Sequence, residues 1–332
     1  MLRLSIRINY SKLQLTDFST FLEIHKLDYF DIRFSNCHFQ TSNDKEWFNI
    51  YTSYGIYVGH IEILDSTIEG GRFFTSRTRN FTMSRCLIDG KNGKYRDDVF
   101  LYLSESDKTF IENSTFRNIK MRSLFSLSNN EYVEIRSSKM EYNELNYAFS
   151  IFRCPAVKIV DFTATYSTFK ENFVFNFAKV SNFEILDFRI DSVLIKDLEL
   201  FSFHRSQGVF DGLEVINTKT EKNIFRLEGG VTSDVTLKNT KILYTTSATA
   251  FYIKHSKIKV ENLVVEESVF ENQFVEATSA TSSTTTTATT TSTTSFPWMW
   301  ILLLLYKEKY SSRNLLKFKA SLYSNTAASV LC

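Results

Sequence analysis

The sequence predicts an all-β chain that folds as a right-handed parallel β-helix of about eleven coils, each of roughly 25 residues. Two motifs recur with this period, and each has the alternating apolar pattern of a short strand. The composition agrees, since the 332 residues include 31 Phe and 16 Tyr and only 2 Pro. Aromatic residues favour strands, and proline interrupts strand pairing.

The first motif is a short apolar strand centred on an aromatic residue. Counted from Leu22, its ten intervals average about 25 residues. Because the same residue type then occupies the same place in each coil, we expect an internal ladder of aromatic rings that packs the core. The predicted ladder residues after Leu22 are Phe48, Phe74, Phe100, Phe125, Phe149, Phe175, Phe201, Phe225, Phe251 and Phe274.

The second motif alternates apolar residues and then favours Asn or Asp at its fifth position, as in IRFSNCHF from Ile32 and VTLKNTKI from Val235. Asn and Asp tolerate the left-handed backbone conformation that a sharp corner requires. We therefore predict that this position forms a corner ladder between two strands. Its predicted members are Asn36, Asp65, Arg85, Asn113, Ser137, Asp161, Asp187, Asn217, Asn239 and Asn262.

A coil of this length with two or three strands and no helical segment fits a β-helix with three faces. The competing interpretation is a leucine-rich repeat, whose consensus is similar to the second motif. Leucine does not dominate the apolar positions, and the rest of each repeat holds another strand-like run. Both observations favour the β-helix.

Through copies of the second motif such as TFIENSTF (Thr109–Phe116), residues 21–276 resemble the pectin-lyase-like superfamily. The resemblance implies a β-helix fold, and the superfamily includes polysaccharide lyases and glycosidases, which act through carboxylates that face the substrate. The polygalacturonase-like order N-T-D, D-D, G-H-G, R-I-K is not reproduced. Asp97-Asp98 follow Gly59-His60-Ile61 instead of preceding it, and Arg189-Ile190-Asp191 ends in an acid. We interpret Asp97-Asp98 as a solvated turn.

No other constellation in the sequence points to chemistry. Asp161 and Asp187 fall on neighbouring predicted coils, about 5 Å apart, where a corner-capping role is favoured over a cation site. The 5 histidines are scattered without metal-ligand spacing. Cys37 and Cys86 share the sixth motif position and are interpreted as small buried side chains. The sequence therefore predicts no catalytic, cofactor-binding or metal-binding residue, and no cofactor.

The predicted domains are a cap or truncated coil at 1–20, the β-helix at 21–276, a Thr/Ser-rich linker at 277–295, a short hydrophobic membrane segment at 296–306 and a basic tail at 307–332. The basic tail after this segment predicts a single span with the β-helix outside and the tail in the cytoplasm. The first ten residues lack the apolar core of a signal peptide, which conflicts with this topology unless the N-terminus is incomplete.

The formal net charge is only +2, and basic residues are spread evenly, so a nucleic-acid partner is not expected. We expect a non-catalytic, surface-presented, membrane-attached module that binds a carbohydrate or protein ligand along the solenoid. The alternatives are a divergent polysaccharide lyase or glycoside hydrolase, and a leucine-rich-repeat-like interaction protein.

Overall fold

The structure of the protein is a computed structural model. It describes residues 3–15, 20–25, 29–41, 46–51, 59–76, 78–90, 96–170, 173–228, 233–278 and 286–291. Within these ranges the chain forms strands and no helix, and the strands pair in parallel. The predicted parallel β-solenoid is therefore confirmed.

The solenoid has about nine turns, so the predicted count of eleven coils is wrong. The prediction counted every sequence period between Leu22 and Phe274 as a complete coil. The early turns are interrupted by residues outside the described ranges, at 26–28, 42–45 and 52–58. The number of motif copies in the sequence is therefore larger than the number of complete turns in the structure.

Each turn passes through three faces. Faces 1 and 2 belong to one 18-stranded sheet, and face 3 is a 14-stranded sheet. A leucine-rich repeat pairs one strand in each repeat, so three faces distinguish this solenoid from that architecture.

Face 1 alone holds β1 (Arg3–Asn9), β4 (Tyr29–Ser35), β7 (Gly59–Leu64), β10 (Asn80–Ser84), β13 (Lys108–Glu112) and β24 (Gln207–Asp211). Face 2 alone holds β2 (Lys12–Leu15), β5 (His38–Thr41), β8 (Thr67–Glu69), β11 (Leu87–Asp89), β14 (Thr115–Arg117) and β25 (Glu214–Ile216). Strands that continue from face 1 into face 2 are β16 (Tyr132–Glu141), β18 (Ala156–Thr165), β21 (Asn182–Asp191), β28 (Asp234–Leu243) and β30 (Lys257–Glu266).

Face 3 holds β3 (Thr20–His25), β6 (Glu46–Tyr51), β9 (Arg72–Ser76), β12 (Arg96–Ser104), β15 (Lys120–Ser128), β17 (Glu144–Phe152), β19 (Thr168–Phe169), β20 (Phe173–Ala178), β22 (Leu194–Ile195), β23 (Glu199–His204), β26 (Lys219–Thr220), β27 (Asn223–Glu228), β29 (Thr246–Lys254) and β31 (Val269–Thr278). Within the predicted linker, β32 (Thr286–Thr291) pairs with β30 and so extends the 18-stranded sheet. Threonine favours strands, which agrees with this placement.

The core is a set of side-chain ladders that run parallel to the solenoid axis. Backbone register on face 3 aligns Phe125, Phe149, Phe175, Phe201 and Phe225 on successive turns. Each of these rings is fully buried, with neighbouring centroids about 5 Å apart. This part of the predicted aromatic ladder is confirmed.

Three predicted ladder residues are one position out of register. Phe73 rather than Phe74 aligns with Phe48, because the pairing of β6 with β9 shifts between Glu46 and Phe48. Leu101 and Val275 likewise occupy the aligned positions where Phe100 and Phe274 were predicted. The rings of Phe100 and Phe274 still pack against their neighbours in the ladder, with centroids 5.6 Å from Phe73 and 5.4 Å from Phe251.

The chain turns at three corners, each built on residues with a positive φ. Corner 1, between faces 1 and 2, consists of Tyr10, Asn36, Asp65, Arg85, Asn113, Ser137, Asp161, Asp187, Gly212, Asn239 and Asn262. Corner 2, between faces 2 and 3, includes Asn118, Tyr142, Tyr166, Ser192, Asn217, Tyr244 and Glu267. Corner 3, between faces 3 and 1, includes Glu105, Asn129, Arg153, Lys179, Arg205 and His255.

Nine of the ten predicted corner residues lie on corner 1, and Asn217 does not. Register places Gly212 after Asp211, in the position that Asp187 occupies one turn earlier. Asn217 lies five residues further on, at corner 2. Gly also adopts positive φ readily, so Gly212 forms corner 1 in this turn. A pattern that requires Asn or Asp does not detect Gly212 and matches Asn217 instead.

Candidate functional site

Three strongly exposed tyrosines lie together on corner 2. Tyr142, Tyr166 and Tyr244 have exposed fractions of 58%, 57% and 50%. Two further exposed apolar side chains, Leu194 and Val269, lie two residues beyond corner 2 at the start of their face 3 strands. We call the line formed by these five residues the tyrosine edge.

The solenoid backbone fixes the spacing of the tyrosine edge. The N–H of each of the three tyrosines donates to a carbonyl in the next turn, at 3.0–3.2 Å. Successive corner residues are therefore one strand spacing apart, about 4.8 Å. The rings of Tyr142 and Tyr166 stack with a centroid distance of 5.2 Å and 9° between their planes. Tyr244 lies three turns beyond Tyr166, so the tyrosines span roughly 19 Å.

Tyrosine is an unfavourable residue for this backbone position. The φ values of Tyr142, Tyr166 and Tyr244 are 56°, 48° and 52°, and the left-handed region costs about 1–2 kcal/mol for residues other than Gly, Asn and Asp. Stacking returns only about 0.5–1.5 kcal/mol per pair. A row of exposed rings held in a disfavoured conformation is typical of a binding surface.

A polar segment of two turns separates Tyr166 from Tyr244. Its corner residues Ser192 and Asn217 both donate to Oδ1 of Asp191, at 2.9 and 3.3 Å. Partial burial opposes ionisation of Asp191, but hydrogen bonds from Arg189, Ser192 and Asn217 outweigh it and hold its pKa below the usual value. The edge thus presents an aromatic pair, a hydrogen-bonding segment with a carboxylate, and a third ring.

Charged side chains near the tyrosine edge form ion pairs with one another. The hydrogen bond from Lys170 lowers the pKa of Glu144. Lys241 donates to Glu214 at 2.7 Å and Arg189 donates to the same carboxylate at 2.9 Å. These pairs give the edge a polar border.

Seven carboxyl groups of the described residues have a clearly shifted pKa. All seven are shifted downward: Asp31, Asp65, Glu144, Asp191, Glu214, Glu228 and Glu261. Glycoside hydrolysis needs one carboxyl group with a raised pKa, so that it carries a proton near neutral pH. These seven groups have the opposite property.

Face 1 carries a cavity of about 150 Å³, lined by Phe110, Ile111, Glu112, Glu134 and Arg136. Its two carboxylates already have partners, since Ser84 donates to Glu112 at 2.8 Å and the Tyr132 hydroxyl donates to Glu134 at 2.9 Å. Arg136 also bonds Glu134. Small-molecule sites occupy about 300–1,000 Å³, so this cavity is a shallow depression with a satisfied polar floor.

The segments that were compared with the polygalacturonase-like pattern are not brought together by the fold. Asp97 and Asp98 lie near the start of β12, so the predicted turn is wrong, although the Asp97 side chain is 79% exposed to solvent. Asp98 forms an ion pair with Arg72 across turns, and Asp97 lies 3.7 Å from Arg122. Both residues fall where the register of β12 against β15 shifts, between Arg96 and Val99.

The two other segments of that pattern lie on face 1 and face 2, several turns apart. Gly59-His60-Ile61 is in β7, where a Cβ on Gly59 would lie 1.9 Å from the Phe30 ring. Arg189-Ile190-Asp191 is in β21, where Asp191 belongs to the polar segment described above. Gly59 is therefore explained by close packing of the core.

The corner aspartates behave as structural residues. Asp161 and Asp187 lie side by side on corner 1, with φ of 52° each, as predicted. Asp65 accepts two hydrogen bonds from Arg85, at 2.6 and 2.8 Å. Among the residues that the structure describes, no group of three His, Cys, Asp or Glu could hold a metal ion.

The three described cysteines are buried and free. Cys37 and Cys86 follow corner 1 two turns apart, with Ser66 on the turn between them, and Cys37 N–H donates to Ser66 Oγ at 3.1 Å. Burial raises the thiol pKa to about 11 for Cys86 and for Cys154. Protonated, buried thiols are inert, so these residues serve as small packing groups.

The tyrosine edge was not predicted from the sequence, although a signal for it exists. Corner 2 follows corner 1 by a fixed step of five residues, as in Ser137 to Tyr142, Asp161 to Tyr166 and Asn239 to Tyr244. Tyrosine favours strands, and this propensity does not distinguish a strand from a corner. The residue five positions after the corner 1 residue is a tyrosine in these three turns, and this shared spacing is the signal that aligns the three rings.

Comparisons with known proteins identify no relative: no family model, no curated protein and no solved structure matches the chain. Likewise, no helix within the described residues is long and apolar enough to cross a membrane. The predicted segment 296–306 and basic tail 307–332 lie outside the described residues.

Proposed function

We propose that the solenoid is a non-catalytic binding module that holds a linear polysaccharide along the tyrosine edge. The observation that carries this proposal is the order of groups on corner 2: stacked Tyr142 and Tyr166, the polar segment at Asp191, and then Tyr244. Aromatic rings pack on the apolar faces of sugars, while carboxylate, amide and hydroxyl groups bind their hydroxyls. The strand spacing is close to the length of one pyranose unit, so an extended glycan could follow the edge.

Binding without cleavage is supported by the charge state of the acids. The described carboxyl groups with clear pKa shifts are all shifted downward, so they remain ionised and cannot donate a proton at neutral pH. The three-faced parallel coil and its Asn-rich corner also support placing the chain among the right-handed, pectin-lyase-like β-helices.

The test replaces Tyr142 and Tyr166 with Asn in the full chain, purified in detergent. Asn tolerates positive φ, so the fold is kept while both rings are lost. Isothermal titration against a panel of soluble neutral polysaccharides should show that the double variant binds on the order of tenfold more weakly, since each ring contact contributes about 0.5–1.5 kcal/mol.

The matched control is Tyr10→Asn, which removes another exposed tyrosine of positive φ, on corner 1. We expect it to bind like the unmodified chain. Equal affinity of the double variant and the control, or no binding to any polysaccharide, would overturn the proposal. Release of reducing ends during the titration would instead show that the module is catalytic.

We further propose that the module is presented outside a membrane by the segment 296–306, followed by the basic tail at 307–332. Support comes from the uncharged stretch between Ala277 and Tyr306 and from the cluster of Lys and Arg after it. Alkaline carbonate extraction of cells that express the full chain should leave it in the membrane pellet. Recovery of most of the protein in the soluble fraction would contradict this anchor.

A further inference from the structure

Corner 3 carries a line of three cations on successive turns. Arg153, Lys179 and Arg205 have φ values of 53°, 58° and 54°. The N–H of Arg153 donates to the carbonyl of Ala178 at 2.9 Å, and that of Lys179 to the carbonyl of His204 at 2.8 Å. The three side chains therefore start one strand spacing apart, about 5 Å, along roughly 10 Å of the edge. We call them the cationic edge.

The cationic edge lacks the counter-charges found elsewhere. On the faces, cations pair with carboxylates of adjacent turns, as Arg189 does with Glu214 and Arg226 with Glu199. Within the part of the chain that the structure describes, no carboxylate forms an ion pair with any residue of the cationic edge. The nearest carboxylates by register are Glu131, one turn before Arg153, and Glu228, which is paired with Arg226 and Lys254.

Residues on both sides of the cationic edge are also free of acids. The residues before it on face 3 are Phe152, Ala178 and His204. Those that follow it towards face 1 are Cys154, Pro155, Val180, Ser181, Ser206 and Gln207. Three aligned cations without an acid between them repel one another, as like charges on adjacent strands do. The arrangement opposes folding and suits an external anion.

The backbone conformation of the cationic edge also indicates a role in binding. Corner 1 meets its demand for positive φ mostly with Asn, Asp and Gly, which tolerate that conformation. The cationic edge places two arginines and a lysine there instead. Long cationic side chains at disfavoured positions are not explained by the needs of the corner, and strained residues of this kind cluster at sites of function.

The shape of the cationic edge indicates which kind of anionic partner it can contact. A corner of the solenoid is convex and carries the three cations in a straight row, so these side chains can all contact one flat anionic surface. Phe152 lies between face 3 and the corner, with Arg153 and Lys179 at 4.8 and 5.4 Å from its ring centroid. These cation–π contacts place an apolar ring beside the charges, and surfaces that bind the membrane interface combine Lys and Arg with apolar residues such as Phe.

We propose that the cationic edge docks the solenoid onto the headgroups of an anionic lipid bilayer. The proposal does not depend on the tyrosine edge, which lies on another corner and would remain accessible. It is also distinct from anchoring by the segment 296–306, because a hydrophobic segment inserts into neutral and anionic bilayers alike. Docking through the cationic edge requires anionic lipid.

The test measures the partition of the full chain into vesicles of phosphatidylcholine alone and into vesicles that also contain phosphatidylserine. The readout is the ratio of the two partition coefficients, which removes the contribution of the hydrophobic segment. Each cation near an anionic surface strengthens binding about fivefold, so we expect the ratio to be at least about tenfold. At about 1 M salt the screening length falls to about 3 Å and the ratio should approach one.

The decisive variant is Arg153→Asn, Lys179→Asn and Arg205→Asn together. Because Asn is favoured at positive φ, thermal unfolding should show a fold at least as stable as the unmodified chain. The ratio should fall at least about tenfold, to the value set by the basic tail at 307–332. The control is Lys12→Gln, Lys120→Gln and Lys219→Gln, which removes the same charge from three exposed lysines away from corner 3. We expect this control to keep most of the preference.

Three results would overturn the inference. The first is an equal partition of the unmodified chain into both vesicle types. The second is a preference for phosphatidylserine that the Asn variant keeps, or that the lysine control loses to the same extent. The third is retention on a soluble acidic polymer such as polyglutamate without any preference for anionic vesicles, which would assign the cationic edge to a protein or polymer partner.

Discussion

Replacing Phe201 with Ala should remove the best-packed ring of the face 3 ladder. Phe201 is fully buried and stacks between Phe175 and Phe225, with centroid distances of 5.2 and 5.3 Å. Phe188 and Phe210 contact it edge to face, at 5.9 and 5.1 Å. Backbone pairing on adjacent turns holds these four neighbours in place, so the site cannot collapse around the missing ring. We expect a loss of about 4 kcal/mol in the free energy of unfolding, within the range for buried Phe→Ala.

The assay is equilibrium unfolding in urea, followed by far-ultraviolet circular dichroism, with Phe274→Ala as the matched control. Phe274 lies in the last turn, is only partly buried, and contacts just Phe251 and Phe270 among the described rings. We expect it to cost about 1–2 kcal/mol. If Phe201→Ala cost less than about 2 kcal/mol, or no more than Phe274→Ala, the aromatic ladder would not be the principal source of core stability.

Three further predictions address the corners, the ion pairs and the thiols. Ser137→Asn, at a φ of 46° on corner 1, should raise the free energy of unfolding by about 0.5–1 kcal/mol, measured by urea unfolding, and a decrease would contradict the corner model. Glu214→Gln removes a carboxylate whose pKa is lowered chiefly by the hydrogen bond from Lys241. The stabilisation it gives is present above its unfolded pKa of about 4.3 and disappears as the pH falls through its lower folded pKa. The difference in stability between the variant and the unmodified chain should therefore vanish in acid, and a difference that persists there would refute the ion-pair account. Cys86 and Cys154, whose pKa is about 11, should resist alkylation at pH 8 until the chain unfolds, as peptide mass mapping would show, and rapid labelling of the folded chain would contradict their burial.

The sequence was sufficient for the fold class because the solenoid repeats its physical requirements in every turn. A buried ring on face 3 and a residue tolerant of positive φ at corner 1 recur together along the chain. Phe175, Phe201 and Phe225, for example, occupy the same face 3 position in three successive turns. The pattern was less reliable where a bulge shifts the register, as at Phe73, or where Gly212 replaces Asn. A one-residue shift leaves composition and period unchanged, so only backbone pairing reveals it.

The candidate site was not predictable in the same way. Tyr142, Tyr166 and Tyr244 are separated by unequal numbers of turns, with Ser192 and Asn217 between them. Their significance depends on exposure and on the corner they occupy, and neither property can be read from strand propensity. The cationic edge presented the same difficulty, because evenly distributed basic residues in the sequence give no sign that three of them align in space.

The three corners share one backbone conformation but differ in side-chain chemistry, and this difference indicates where function resides. A corner requires only a residue of positive φ that points outward and a small or apolar residue behind it, which corner 1 supplies mostly with Asn, Asp and Gly. Corner 2 replaces them with tyrosines, and corner 3 with Arg153, Lys179 and Arg205. Each replacement is unfavourable for the fold itself, whereas the faces pair their charges and bury their rings. Clustered departures of this kind, in contrast to isolated ones such as Tyr10, are the basis of the two binding surfaces that we propose.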